Sequence, residues 1–100
     1  MTAQCISHVV IHGSVQRVGF RAWTEYTAAE HGLEGWVRNR RDGTVEAVFA
    51  GPADKVVIMI RACRVGPRGA RVTDVDQREG TAADLALRHP DAAFSVLPTA

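Results

Sequence analysis

Asp42-Gly43 lies between two stretches that alternate apolar and polar residues, Gly35 to Arg40 and Thr44 to Ala50. An Asp-Gly pair readily takes the positive φ angles of a tight hairpin, and alternation on both sides predicts two antiparallel strands. The rest of the chain must then pack around that hairpin. Ahead of it, the Val- and Ile-rich run Cys5 to His12 closes at Gly13 and predicts a first strand. Ala22, Tyr26, Ala29 and Leu33 recur at spacings of four, three and four, which predicts a helix burying that stripe, with Gly32 and Gly35 bracketing its end. Behind the hairpin, Pro52 is expected at the first position of a second helix. That helix turns Val56, Met59, Ile60 and Cys63 inward and stops at Gly66-Pro67. Ala70 to Gln77 predicts a fourth strand, with Val72 and Val75 out of phase by one, as a bulge or a strong twist would place them. Residues 79 to 92 predict a loop or short helical turn, and Phe94 to Leu97 a short edge strand.

The order is β-α-β-β-α-β with an added terminal strand. It predicts an α+β fold in which two helices cover one face of an antiparallel sheet. One hundred residues suit a single domain over 1–100, long enough for a modest core without disulfide or metal staples. The longest apolar run, Val56 to Ile60, is far short of a bilayer span, so no membrane partner is expected. Met1 to Cys5 carries no basic stretch followed by an apolar run, which leads to the expectation of a cytoplasmic address.

Eleven Arg and one Lys stand against eleven acids, a net charge of +1, too balanced for a general polyanion surface. Basic residues nonetheless gather locally. Arg17 and Arg21 lie in an acid-free stretch from 13 to 21, and Arg38, Arg40 and Arg41 precede Asp42. Cys5 and Cys63 form no C-x-x-C and are expected as reduced, mostly buried thiols. His8 and His12 share a strand face but lack a third ligand, so no metal site is expected.

Between the first strand and first helix runs Gly13-Ser14-Val15-Gln16-Arg17-Val18-Gly19-Phe20-Arg21. It is neither a nucleotide P-loop, which needs Lys after its second Gly, nor a dinucleotide fingerprint. A Gly-flanked loop entering a helix N-terminus still offers free backbone N–H groups and the positive end of the helix dipole, a combination that binds phosphate. Arg21, in the first turn, can grip two phosphate oxygens with its planar fork. Read alone, the same glycines could simply make a tight turn. A second element, Gly35-Trp36-Val37-Arg38-Asn39, adds weight. By the strand period of two, Asn39 shares the face of Val37, opposite Trp36 and Arg38, and can border the loop if Val37 faces the helices.

These two elements resemble the acylphosphatase family. Residues 13 to 21 match its G-x-V-Q-G-V-x-F-R loop at every fixed position but one, and Gly35 to Asn39 match its G-W-V-R-N element. Gly43 to Glu46, Gly51 and Gly66-Pro67 with Ala70, Val72 and Val75 also fall where the family has them. The resemblance implies a ferredoxin-like α/β sandwich and an enzyme that hydrolyses the carboxyl–phosphate bond of acyl phosphates, without a cofactor. It implies Arg21 as the phosphate-binding arginine and Asn39 as the water-positioning asparagine. It also implies a phosphate cradle from the loop Val15, Gln16, Arg17, Val18, Gly19 and Phe20. The one departure is Arg17, where the family usually has Gly. A left-handed backbone there would cost a side-chain-bearing residue roughly 1–2 kcal/mol.

Such chemistry needs few groups. The leaving carboxylate has a conjugate acid of pKa about 4, so no general acid is required. Phosphoryl transfer depends mainly on charge stabilisation and alignment. The motif holds no Cys, Ser or His nucleophile, which suits direct attack by water. Two alternatives share the fold. One is a domain acting on carbamoyl phosphate, as at the N-terminus of hydrogenase-maturation carbamoyltransferases. The other is a non-catalytic phosphate- or ligand-binding module. An RNA-binding version is disfavoured, because Thr44 to Ala50 lacks the K/R-G-F/Y-G/A-F-V-x-F/Y element by which such domains expose stacking aromatics. The expected partner is a small acyl phosphate, with inorganic phosphate or sulfate as competing anions, acting on a monomer.

Overall fold

The computed structural model describes residues 3–100. The hairpin strands, β2 (Glu34–Asn39) and β3 (Val45–Pro52), pair antiparallel from Glu34 opposite Ala50 to Asn39 opposite Val45. Arg40 N–H donates to the Thr44 carbonyl at 2.9 Å and Gly43 N–H to the Arg40 carbonyl at 3.1 Å, and Gly43 takes φ 92°. The Asp42 carboxylate closes the turn by accepting from both the amide (3.0 Å) and the hydroxyl (2.6 Å) of Thr44. Those bonds, the hydroxyl's first, hold the Asp42 carboxyl below the ordinary carboxylate range.

β1 (Gln4–Ser14) lies antiparallel between β3 and β4 (Arg71–Glu79), and β5 (Phe94–Val96) joins β2 in parallel. The sheet order is therefore β4-β1-β3-β2-β5. The four principal strands are antiparallel as expected, and the parallel terminal strand makes the whole sheet mixed. The bulge is present. His12 faces Asp74 and Gly13 faces Val72, leaving Thr73 as the extra residue on β4.

Two helices, α1 (Phe20–Glu30) and α2 (Ala53–Cys63), cover one face. Val9 and Ile11 of β1, Val37 of β2, and Val45, Ala47 and Phe49 of β3 meet Val56, Met59, Ile60 and Cys63 there. α2 thus buries the predicted stripe, while Pro52 ends β3 just ahead of the helix instead of occupying its first position. The α1 stripe differs from expectation. Phe20, Thr24, Thr27 and Ala28 are buried, whereas Ala22 and Ala29 are exposed and Tyr26 is 68% exposed. Thr24 tolerates burial because its hydroxyl donates to the Phe20 carbonyl at 2.8 Å. Leu33 is buried but lies beyond the helix.

The opposite face carries Trp36, Val48 and Leu97, with Ile6 and Leu85 packed against them. A short helix, α3 (Ala82–Leu85), lies over it within the stretch expected to be a loop or turn. Thr81 accepts from the Asp84 amide while Asp84 accepts from the Thr81 amide, a reciprocal cap. The bonds from Arg78 and Thr81 bring the Asp84 carboxyl down to about 2. Trp36 Nε1 donates to the Asp84 carbonyl at 2.7 Å, pinning α3 to the sheet. Cys63 is buried and free, its thiol pushed up to about 12 by burial, and Cys5 is free and half-buried. Among the described residues no helix is long and apolar enough to cross a membrane.

Candidate active site

β1 ends at Ser14 and α1 starts at Phe20, so Val15 to Gly19 must turn the chain from the sheet onto the helix layer within five residues. Gly19 does so in the left-handed region at φ 77° and stands at the helix cap without any side-chain bond to the first turn. The first turn is therefore left with its N–H groups free. None of the amides from Gln16 to Ala22 donates to an acceptor among the described residues. Arg17 also takes a left-handed backbone, φ 63°, the positive angle that its place in the family's loop anticipates.

The loop and first turn wall a cavity of about 340 Å³, closed on the other side by β2 and β5. Val15, Arg17, Gly19, Phe20, Arg21 and Asn39 line it. Two sequence motifs separated by most of a helix thus share one hollow. Asn39 reaches it as the last residue of β2, on the helix-facing side with Val37. Its backbone is fixed twice, by pairing with Val45 and by accepting from the Ala100 amide at 3.0 Å. Among the described residues neither Arg17 nor Arg21 makes an ion pair, so both guanidinium groups keep their charge available.

Gln16 and Val18 belong to the loop without lining the cavity. The Gln16 side chain turns to the hairpin and donates from Nε2 to the carbonyls of Arg40 (2.7 Å) and Thr44 (2.9 Å). Ala22, Glu25 and Val96 line the cavity as well, none of them a site residue expected from the sequence, where Ala22 stands only in the apolar stripe of α1. Glu25 lies one helical turn past Arg21, a spacing that could have flagged it. Val96 arrives from the chain end, where no local pattern points to the loop. A wider cleft of about 620 Å³ sits at the other end of the sheet, against Ile6, Glu34, Gly51 and Leu85, and contains none of the motif residues.

His8 and His12 of β1 lie on the face away from the helices. His8 Nε2 meets Glu46 Oε2 at 2.7 Å and His12 Nε2 meets Asp76 Oδ2 at 2.9 Å. Arg38 donates from Nε to Glu46 Oε1 at 2.7 Å and stacks over the Trp36 ring at 4.8 Å. Burial works against the Glu46 charge, but the bonds from His8 and Arg38 outweigh it and hold the carboxyl below its ordinary range.

Comparison with known proteins gives the same placement from a separate direction. The family model for acylphosphatase matches residues 7–86. The acylphosphatase of Rhodopseudomonas palustris strain BisB18 is 54% identical over 94% of this chain and 95% of its own. That of Bradyrhizobium diazoefficiens is 53% identical over 97% and 98%. The chain belongs to the acylphosphatase family. An acylphosphatase structure from Coxiella burnetii superposes with a TM-score of 0.82 at 32% identity, covering 94% of this chain and 93% of that one. The split βαβ order is thus the ferredoxin-like arrangement of an acylphosphatase, and the loop, Arg21 and Asn39 meet at the end of its sheet.

Proposed function

We propose that this acylphosphatase cleaves acyl phosphates by direct attack of water on phosphorus, without a metal. Arg21 and the amides of Val15 to Phe20 hold the phosphate, and Asn39 places the water. The observation that carries the proposal is the shared cavity: Arg17 and Arg21, without an ion pair among the described residues, a loop whose amides likewise have no acceptor among them, and Asn39 border one hollow. A guanidinium fork and a run of N–H donors meet a tetrahedral dianion at several oxygens at once. As the bond between phosphorus and the acyl oxygen lengthens, negative charge moves onto the leaving carboxylate oxygen, while the loosened phosphoryl group keeps its remaining charge spread over three oxygens that the guanidinium and amides hold in line with the water. The carboxylate leaves with the bonding electrons. Water oxygen bonds to phosphorus, and its proton passes to a phosphate oxygen of the substrate. The products are carboxylate and inorganic phosphate. The Asn39 carboxamide both accepts from and donates to water, and it avoids the repulsion an Asp would exert on the phosphate.

Inorganic phosphate and sulfate compete for the same donors. The domain acts as a cytoplasmic monomer, its 1–100 span forming one unit. Identity near one half over nearly whole chains favours the acylphosphatase activity over carbamoyl transfer or simple binding.

Hydrolysis of benzoyl phosphate with a metal chelator present tests the mechanism. Arg21→Lys is expected to weaken binding of substrate and inorganic phosphate by about tenfold or more, since a point charge replaces a fork. Asn39→Ala is expected to lower kcat strongly while inorganic phosphate still binds. Unchanged kinetics in Arg21→Lys, or equal losses of rate and phosphate affinity in Asn39→Ala, would remove that residue from its assigned role.

A further inference from the structure

The cavity extends beyond the groups that a phosphate needs. Ala22, Glu25 and Val96 line it with the loop and Asn39, and none of the three has a part in holding phosphate or water. Glu25 sits one helical turn beyond Arg21, about 6 Å further along α1. It is exposed and makes no ion pair among the described residues. The hollow therefore carries positive charge at the loop end, from Arg17 and Arg21, and a lone carboxylate further along, beside the apolar Ala22 and Val96.

We propose that Glu25 is a specificity residue which selects acyl phosphates by the charge of the acyl group, admitting neutral or amino-bearing groups and disfavouring those with a second anion. This rests on the phosphate lying against Arg21. With the dianion there, the acyl chain leaves the loop end and runs toward the second turn of α1. A carboxylate or phosphate on that chain approaches Glu25 and is repelled, while an ammonium group is attracted. Arg17 and Arg21 do not cancel this, because the transferred phosphate occupies them. A charge pair at such a separation in a partly hydrated site changes kcat/KM by about threefold to tenfold at low salt, and by less at high salt.

The test uses three rigid substrates, benzoyl phosphate, 4-carboxybenzoyl phosphate and 4-(aminomethyl)benzoyl phosphate, with wild type, Glu25→Gln and Glu25→Lys. For each protein the kcat/KM of each charged substrate is divided by that of benzoyl phosphate, which removes any general effect on folding or rate. The ratio for the carboxylate substrate is expected to rise about threefold to tenfold in Glu25→Gln and further in Glu25→Lys. The ratio for the ammonium substrate is expected to fall in the same order, and both trends should shrink in 0.5 M salt, roughly as Debye screening dictates. Ratios equal in all three proteins, with benzoyl phosphate still hydrolysed, would overturn the role of Glu25 and leave the phosphate site standing. Wild type inactive on all three substrates would overturn both.

Discussion

Gln16 reaches from the phosphate loop to the hairpin, donating from Nε2 to the Thr44 carbonyl at 2.9 Å while the same nitrogen serves Arg40 O at 2.7 Å. The loop that carries the amides and the strand end that carries Asn39 are thereby held at a set distance, although among the described residues no backbone bond joins them directly. Alignment of water with phosphorus depends on that distance.

Gln16→Ala removes both bonds, while each carbonyl keeps its backbone donor, Arg40 N–H for Thr44 and Gly43 N–H for Arg40. Stability is expected to fall by about 1–2 kcal/mol. Turnover should fall more than inorganic phosphate binding, because the anion donors all sit on the loop side while Asn39 sits across the gap. Urea denaturation together with kcat and phosphate inhibition constants measures this. A variant with lowered stability but wild-type kcat would show that the bonds serve folding alone.

Arg17 combines an unfavourable backbone with a useful charge, and two substitutions separate the effects. Arg17→Ala keeps a Cβ at φ 63°, and Arg17→Gly does not. Gly is expected to be the more stable of the pair by about 1 kcal/mol, net of its greater unfolded-state freedom, or several degrees in Tm for a domain of this size. Both variants lose the guanidinium, so both should raise the inhibition constant of inorganic phosphate by about threefold to tenfold at low salt. Equal Tm values would mean that the loop relaxes around Ala. Unchanged inhibition constants would place the Arg17 charge outside the field of the phosphate.

Much of this architecture is legible from local chemistry. Asp42-Gly43 announces the hairpin because the turn residues and the alternation agree, and α2 is readable because all four of its inward residues are apolar. The period of two along β2 puts Asn39 on the face of Val37, and the fold turns that face to the helices. α1 resists the same treatment: its buried face contains two threonines, one satisfied by its own helix backbone, while the large Tyr26 points to solvent. Apolar periodicity then selects the wrong stripe. The outer wall of the cavity is hidden for a different reason. Val96 belongs to a three-residue strand whose parallel pairing with β2 joins distant parts of the chain, and Ala100 bonds the backbone of Asn39 across the same gap. No local pattern encodes such contacts.

The His8–Glu46–Arg38 cluster makes a further prediction, on the side of the sheet away from the site. The Glu46 side chain is 12% exposed and held by two donors at 2.7 Å. Its folded carboxyl titrates below its unfolded value, so the stabilisation is complete above the ordinary Glu pKa of about 4.3 and is lost as pH falls through the folded value. Glu46→Gln leaves Arg38 and His8 facing a neutral amide, and stability at pH 7 is expected to drop by about 1–3 kcal/mol. The difference between wild type and variant should narrow on acidification below about pH 4.3, where the carboxyl of the unfolded chain begins to take up a proton that the folded one still resists, and it is lost once the folded carboxyl protonates in turn. Urea denaturation curves from pH 7 to pH 3 measure both quantities. Parallel stability profiles, with a constant difference at every pH, would show that Glu46 stabilises the sheet through packing and not through its charge.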